Sequence, residues 1–499
     1  MQRNDSYQNA SSIYDCENMQ DFVGQIMHIL HEPPDLVVHS LVISSDIQSL
    51  CVFIDTVADR DKIEHELLHF LTDKTLLSDL ESSDNLIHEL QGRIPFSFIS
   101  SSSDLKVCID SLLNGSCLLL LSQANQVLII NASQTSNRTV SEPQTESTVR
   151  GPQEGFTEDI AINLSLLRKR VKNVHLHIEQ ITKGTETKTT INMIFLGNLA
   201  PVEIVDEFRQ RLASIEIDSV LDSAYIEEWI QDRTYSPFKT LLDTERPDIV
   251  ASHLLEGRIA VLIDGSPIAL IGPITFFQFF IAPDDYYQRA DVASLLRLLR
   301  ILSFMLSVFV PSLYIAVVSY HQELLPHSLL ISIAAQREGV PFPAFMEAFI
   351  MMVTFELLRE AGLRMPRIAG QAISIVGALV LGQAAVSAGL VSTAMVIVVA
   401  ITAISNFVMP SYSFAITQRL LQFFFMILAG TMGLFGVLCG ALFTIVHLAS
   451  IKSFNISYLS PLAPISLSDW KDSLVRVPRP WMKTYPRLNR AKRKRSGGT

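Results

Sequence analysis

The side chains best suited to chemistry in this sequence are its histidines, its cysteines and a few polar residues in its apolar half. His175 and His177 lie two residues apart on a predicted strand, while His253 stands apart. None of the three has a cysteine or a paired carboxylate at metal-ligand spacing. The pair is more typical of a partly exposed strand face than of a ligand pair. The sequence therefore predicts no metal site.

The cysteines and glycines carry no catalytic pattern either. The cysteines show neither paired metal spacing nor a dense disulfide framework, and we interpret them as reduced, buried small hydrophobes: Cys16, Cys51, Cys108, Cys117 and Cys439. The sequence contains no glycine-rich phosphate loop of the Walker or dinucleotide type. We therefore expect no catalytic residues, no cofactor and no enzyme activity.

A small set of polar residues interrupts the apolar region between residues 298 and 451. These residues could line an aqueous path for cations: Glu347, Glu356, Gln383, Ser387 and Asn406. Carboxylates at membrane depth are costly and should face protein or water. One chain offers few such groups, but a ring of identical subunits would multiply each into a collar. For Glu356 the alternative is a pair with Arg359 at i+3 beside the membrane interface.

The elements that must position these residues are predicted membrane spans. Leu299–Tyr320 is long enough to cross the bilayer and should kink at Pro311, while Gln371–Val391 and Ser392–Met409 predict a hairpin. Leu420–Ile451 exceeds one perpendicular span, so it must tilt, break near Gly430 or extend beyond the bilayer.

The region 341–357 is ambiguous because it is apolar but contains two glutamates. We predict a re-entrant or interfacial segment there, in addition to four complete spans. Six spans are the alternative, if 411–451 folds as a hairpin.

Small residues four apart predict close helix packing within the spans. They form two groups: Ser374, Ala378 and Gly382, and Gly436 and Gly440.

Charge divides the chain into three blocks. Residues 1–297 carry 22 Lys/Arg against 43 Asp/Glu, residues 298–451 carry 6 against 5, and residues 452–499 carry 11 against 2. This pattern indicates an acidic aqueous part, a membrane domain and a basic tail, and it argues against nucleic-acid binding. With no evident cleaved signal and a basic C-terminus, both termini are expected on the cytoplasmic side. The tail, 483–499, is expected on anionic lipid or simply as a disordered solubilising segment.

The aqueous part is predicted to contain two small α/β subdomains, 1–130 and 156–297, joined by a polar linker at 131–155. Segments 108–130 and 249–271 share an order of helix end, glycine, strand, turn and strand, so either a duplication or a chance recurrence is possible. Asp264 and Gly265 predict a hairpin turn in the second copy. The run 209–230 predicts an amphipathic helix with solvated carboxylates.

Several long runs go beyond what physical patterns can provide. The runs 142–156, 245–289 and 321–386, together with YLSPLAP at 458–464, closely resemble the A subunit of bacterial spore germinant receptors, the GerA family. The resemblance covers roughly residues 140–480 and weakens over 1–130.

The resemblance implies an integral protein of the spore inner membrane that works with a transporter-like B subunit and a lipoprotein C subunit. Such receptors sense nutrients and trigger germination, beginning with the release of monovalent cations. It also implies a homo-oligomer that could form a ligand-gated ion channel. From the residues alone, a secondary transporter and a non-conducting membrane scaffold remain alternatives.

Overall fold

Two α/β domains and a set of long apolar helices make up the part of the chain that the structure describes. The computed structural model describes residues 14, 18–44, 47–72, 86–134, 143, 146, 150–232, 235–365, 382–465 and 470–481. The predicted order of an α/β part followed by a helical part is present. The predicted positions Ser374 and Ala378, most of the predicted span Gln371–Val391, and the tail from residue 482 lie outside the described residues.

The first domain is a five-stranded antiparallel sheet with helices on both faces. Its strands are β1 (Leu36–Ser44), β2 (Ile47–Ile54), β3 (Ile99–Ser102), β4 (Ser116–Leu121) and β5 (Val127–Asn131), in the order β1-β2-β4-β5-β3. Its helices are α1 (Met19–Leu30), α2 (the contiguous sections Arg60–Lys62, Ile63–Leu68 and His69–Thr72), α3 (Leu86–Arg93) and α4 (Leu105–Leu113). Successive strand residues point to opposite faces, so one face packs on α1 and α4 and the other on α2 and α3.

The second domain repeats this topology. Its strands are β6 (Leu176–Lys183), β7 (Thr189–Leu196), β8 (Leu242–Thr244), β9 (Ile259–Ile263) and β10 (Ala269–Gly272), in the order β6-β7-β9-β10-β8. Its helices are α5 (Ile160–Arg170), α6 (Val202–Ala213), α7 (Ser223–Ile230) and α8 (Pro247–Leu255). The single helix predicted at 209–230 is wrong. The chain leaves the helix after Ala213 and re-enters one at Ser223, because Ile215 and Val220 between them turn into the core.

Two glycines show how closely the repeat is kept. Gly115 and Gly257 follow α4 and α8 with φ of 89° and 83°, a conformation that favours glycine. A Cβ atom at Gly115 would lie 2.9 Å from the Val57 carbonyl oxygen, and one at Gly257 would lie 2.7 Å from that of Leu199. Val57 and Leu199 each stand three residues after the end of the second strand of their domain. The shared pattern at 108–130 and 249–271 thus belongs to a repeated fold, in which Gly265 (φ 83°) occupies the β9–β10 turn.

A buried ion pair joins the two domains. Arg168 of α5 donates to both carboxylate oxygens of Asp35, at 2.7 and 2.6 Å, and Thr56 donates to the same carboxylate. Val174 of the second domain also packs into the apolar cluster of the first.

The helical part begins with α9 (Ala290–Tyr320) and continues through α10 (His327–Arg337), α11 (Ala344–Arg364), α12 (Gly382–Ser387) and α13 (Thr393–Phe407). The last helical stretch, Tyr412–Ser450, is divided at Gly433, which has φ 60° and ψ −140°. We name the arm before Gly433 α14 and the arm after it α15. Ala290–Tyr320 and Tyr412–Ser450 are long and apolar enough to cross a membrane by length and composition.

The last stretch is a helical hairpin. The rings of Phe424 and Phe443 lie 6.3 Å apart, whereas a straight helix would separate residues nineteen apart by about 28 Å. Gly436 and Gly440 allow this approach, because a Cβ at Gly436 would lie 2.4 Å from the Leu428 carbonyl oxygen. The chain therefore reverses at Gly433, as the six-span alternative requires of this segment.

The helices run between two ends. At the domain end, α9 starts beside the second domain, and His447 of α15 contacts Ser236 of that domain at 2.9 Å. At the far end, the Tyr320 hydroxyl donates to the Gly430 carbonyl oxygen at 2.6 Å. Helices α9, α11, α13, α14 and α15 each run between these ends.

Two predicted segments take a different form from the one expected. Within the region 341–357, residues 344–357 belong to the uninterrupted helix α11, so the chain does not reverse there. Residues 452–459 do not belong to a tail: the two-stranded hairpin of β11 (Lys452–Ser453) and β12 (Ile456–Ser457) returns to the second domain. There Phe454 stacks on Phe208 at 3.8 Å, and Tyr458 is buried.

Candidate functional site

The second domain meets the first long helix at a buried cluster of charges. Asp285, in the short turn Asp284–Tyr287, lies between Arg297 and Arg300 of α9, at 3.2 and 2.8 Å. Asp285 and Arg297 are both fully buried. Because the two arginines are three residues apart, they lie on one face of the helix and converge on a single carboxylate. A buried charge without a partner is strongly unfavourable, so this cluster fixes how α9 leaves the domain.

A C-terminal segment straps the same junction. The hydroxyl of Tyr286 donates to Asp472 at 3.0 Å, and Arg297 lies 3.8 Å from that carboxylate. Arg476 donates to the Gln288 carbonyl oxygen at 2.6 Å. Burial, together with the negative charge of Asp472, raises the pKa of Tyr286 well above its usual value. Residues 470–476 thus hold the start of α9 against the domain, a role that the expected basic tail did not suggest.

Two of the runs quoted for the resemblance, 142–156 and 245–289, come together beside this cluster. Arg246 pairs with Asp248 at 2.7 Å, and the hydroxyl of Tyr287 donates to the same carboxylate at 2.6 Å. Gly151 packs so closely that a Cβ there would lie 2.7 Å from the Tyr287 ring. Three segments far apart in sequence therefore meet at one place.

Glu146 stands at the edge of the same place. Its carboxylate accepts a hydrogen bond from Thr244 at 2.7 Å. Burial raises the pKa of Glu146 to about 8, against the opposing effect of that hydrogen bond and with a further contribution from Asp243. Burial and the Asp248 carboxylate raise the pKa of Tyr287 to about 12.

Aromatic rings make the core of the second domain continuous with the helices. Phe279 stacks on Phe414 of α14 at 4.7 Å, and Phe280 meets Phe304 of α9 edge-to-face at 5.5 Å. One buried apolar cluster extends from α5 and α8 through these rings into the helical part. The second domain, α9 and α14 therefore share one continuous apolar core.

Glu347, predicted to line a path, is fully buried inside the helical part. Its carboxylate lies 3.2 Å from Arg337 of α10 and accepts hydrogen bonds from the backbone and hydroxyl of Ser392 at 3.0 and 2.9 Å. Ser392 is the N-cap of α13. Within one chain, Glu347 thus joins α10, α11 and α13 at the far end of the helical part.

The other predicted path residues do not come together with Glu347. Glu356 lies near the domain end and pairs with Arg359, as the alternative interpretation has it, and also with Arg419 at 3.2 Å. Gln383 and Ser387 are exposed on α12. Asn406 is buried, and among the described residues neither atom of its amide has a hydrogen-bond partner.

Sequence reasoning missed several polar groups that the structure places inside the helical part. Gln418 donates to Ser307 of α9, and Gln422, one turn further along α14, is fully buried. For the Asp285 cluster, the signal available in the sequence was the pair Arg297 and Arg300, three residues apart at the start of an apolar helix. Cys439, expected to be buried, is exposed on α15, whereas Cys51, Cys108 and Cys117 are buried. Among the described residues no group of three or more side chains could hold a metal ion.

Comparison with known proteins gives a consistent set of relatives. A family model described as Bacillus/Clostridium GerA spore germination protein matches residues 24–488. Spore germination protein KA of Bacillus subtilis (strain 168) is 42% identical over 86% of this chain and 78% of its own length. Spore germination protein A1 of the same organism is 37% identical over 93% of this chain and 94% of its own length.

The membrane protein YfkQ of Bacillus subtilis is 40% identical over 92% of this chain and 89% of its own length. Among solved structures, the N-terminal domain of the A subunit of the Bacillus megaterium spore germinant receptor GerK3 is 31% identical. It covers 54% of this chain and all of its own length, with a TM-score of 0.42.

Proposed function

Because the chain belongs to the GerA family of spore germination proteins, whose members are germinant receptor A subunits, we propose that it is the membrane subunit of a nutrient germinant receptor. In this proposal it assembles with itself into a ligand-gated channel for monovalent cations and works with a B and a C subunit. The observation that supports signal transmission is the Asp285 cluster. Its buried ion pairs with Arg297 and Arg300 join the second domain directly to α9.

The membrane placement is part of the same proposal. Helix α9 has 31 residues and would extend about 46 Å, more than the roughly 30 Å of a hydrocarbon core. Large apolar side chains are exposed along α9, α11, α13, α14 and α15, as a lipid-facing surface requires. We place the domain end and both termini in the cytoplasm and the helices in the spore inner membrane.

The path for cations would form between copies of the chain. Glu347 is sealed inside its own subunit, so it cannot line a shared path without breaking the contacts with Arg337 and Ser392. Gln383 and Ser387 are exposed in the single chain and could present their polar groups to a symmetric assembly. We therefore propose that α12 lines the cation path and that Glu347 holds α10, α11 and α13 together.

The test is germination and conductance measured together. Spores lacking this chain should lose monovalent-cation release to one class of nutrient, and restoring the chain should restore it. The purified oligomer in planar bilayers should then conduct, and Gln383→Leu should lower cation conductance while leaving assembly intact. Uptake of labelled nutrient without conductance would instead favour a secondary transporter, and germination without either activity would favour a scaffold.

A further inference from the structure

Two arginines from different helices share one carboxylate near the domain end of the helical part. Arg359 of α11 and Arg419 of α14 both pair with Glu356 of α11. The side chains of Arg359 and Arg419 are 12% and 16% exposed, so both are largely withdrawn from solvent. Arg419 also donates through Nε to the Ala415 carbonyl oxygen, which fixes its direction.

This cluster carries an excess positive charge. Among the described residues, no second carboxylate lies within ion-pair distance of Arg359 or Arg419. The Nε atom of Arg359 is buried and has no hydrogen-bond partner there. A partly buried charge without a counter-ion is costly. The arrangement therefore lacks one anion, and the two planar guanidinium groups are suited to bind a phosphate.

The position of the cluster indicates where that anion comes from. Ser413 and Thr417, on the turns of α14 just before Arg419, contact the second domain through Asp243 and the Pro237 carbonyl oxygen. Near them, large apolar side chains are exposed on the surfaces of α13 and α14: Phe407, Tyr412, Ile416 and Leu420. The cluster thus lies at the boundary between the aqueous domain and the apolar surface, where headgroup phosphates of a bilayer lie.

We propose that Arg359 and Arg419 bind the phosphate of an anionic phospholipid beside Glu356, whose single carboxylate neutralises one of the two guanidinium groups. The neighbouring apolar side chains give the acyl chains a surface, which free phosphate would not need. This site is separate from the basic tail at 483–499. It depends on the membrane placement proposed above but not on ion conduction.

The experiment uses the purified full chain in nanodiscs of phosphatidylcholine, with and without phosphatidylglycerol. Retained lipid is counted by native mass spectrometry, and lipid-dependent protection is measured by thermal unfolding. Arg419→Gln and Arg359→Gln should each weaken phosphatidylglycerol binding about fivefold to tenfold. Glu356→Gln should keep or strengthen it, because the carboxylate competes with the phosphate. Arg364→Gln is the matched control, since Arg364 lies on the same helix but is 79% exposed and paired with Glu360.

Several outcomes would overturn the proposal. They are equal protection by both lipids, equal loss in Arg364→Gln and Arg419→Gln, weakened binding in Glu356→Gln, or equal protection by soluble inorganic phosphate. If a glutamine variant does not fold in phosphatidylcholine, Arg419→Lys replaces it. That variant keeps the charge but loses the planar fork, and it should bind at an intermediate level. Failure of the chain to enter nanodiscs, seen by size exclusion, would overturn both this site and the membrane placement, whereas absent conductance alone would leave the site standing.

Discussion

The two α/β domains share a topology but differ in what their cores touch. In the first domain, the apolar face beneath α1 and α4 forms a cluster to which, among the described residues, the second domain contributes Val174. In the second domain, the corresponding face beneath α5 and α8 continues through Phe279 and Phe280 into the helical part. The same fold thus serves once as an appended domain and once as the base of the long apolar helices. We infer that the second domain transmits the receptor's signal to the helices. Substitutions in the first domain should affect the helices less.

If the second domain transmits through the Asp285 cluster, the largest effect should come from removing its carboxylate. Asp285→Asn leaves Arg297 and Arg300 buried without a full counter-charge, which should lower the free energy of unfolding by about 5 kcal/mol. Thermal unfolding in detergent and receptor abundance in spore membranes measure this. Asp291→Asn is the control, because Asp291 and its partner Arg289 are both exposed. Equal stability of the two variants would contradict the junction's importance.

The pair between the domains should matter next. Arg168→Met leaves Asp35 buried with Thr56 as its remaining side-chain partner, and we expect a loss of about 3 kcal/mol. Because the first domain is appended, the loss should appear as earlier unfolding of that domain, with the helical part unchanged. Hydrogen exchange resolved by peptide separates these. Arg170→Gln is the control, since its partner Glu154 is exposed, and parallel loosening of the helices would contradict the comparison.

The hairpin turn in the helical part should give a smaller effect. Gly433→Ala places a Cβ 3.0 Å from Tyr320 and His321 at a φ of 60°, which should cost about 2 kcal/mol. Measured by thermal unfolding in detergent, it should exceed the effect of Gly339→Ala, where a Cβ would meet nothing within 4 Å. Equal effects would mean that the chain does not reverse there.

These sites differ in how visible they are in the sequence. The repeated order of helix, glycine and two strands is local, so segments 108–130 and 249–271 displayed it. One partner of Arg297, Asp285, is 12 residues away, but the other, Asp472, is 175 residues away, and that contact depends on how the whole chain packs. The turn at Gly433 lies in an apolar run for which the sequence left three possibilities: a tilt, a break near Gly430 or an extension beyond the bilayer. Glu347 was recognised as costly in a membrane, yet only the fold supplies Arg337 and Ser392 as its partners.

The smallest expected effect is on how the stability of the protein depends on pH, and it comes from Glu146 at the edge of the second domain. Glu146 has a pKa of about 8 in the folded protein, against an ordinary value of 4.5, because burial disfavours its charged form. The folded state therefore holds a proton that the unfolded state releases, so the contribution is fully present below about pH 4.5 and is lost as pH rises through about 8.

Glu146→Gln keeps an oxygen that accepts from Thr244 but cannot ionise, so its melting temperature should fall less than that of the parent between about pH 5 and pH 9. The difference should be modest because the side chain is only partly buried and water screens its charge. Glu154→Gln, an exposed carboxylate nearby, should leave the pH profile unchanged. If Glu146→Gln follows the parent at every pH, Glu146 is ionised at neutral pH and the linker lies more loosely on the second domain than its contacts with Thr244 and Tyr287 imply. If the substitution flattens the profile, Glu146 is protonated in the folded protein near neutral pH. The linker then packs on the second domain through Thr244 and Tyr287, close to the start of α9.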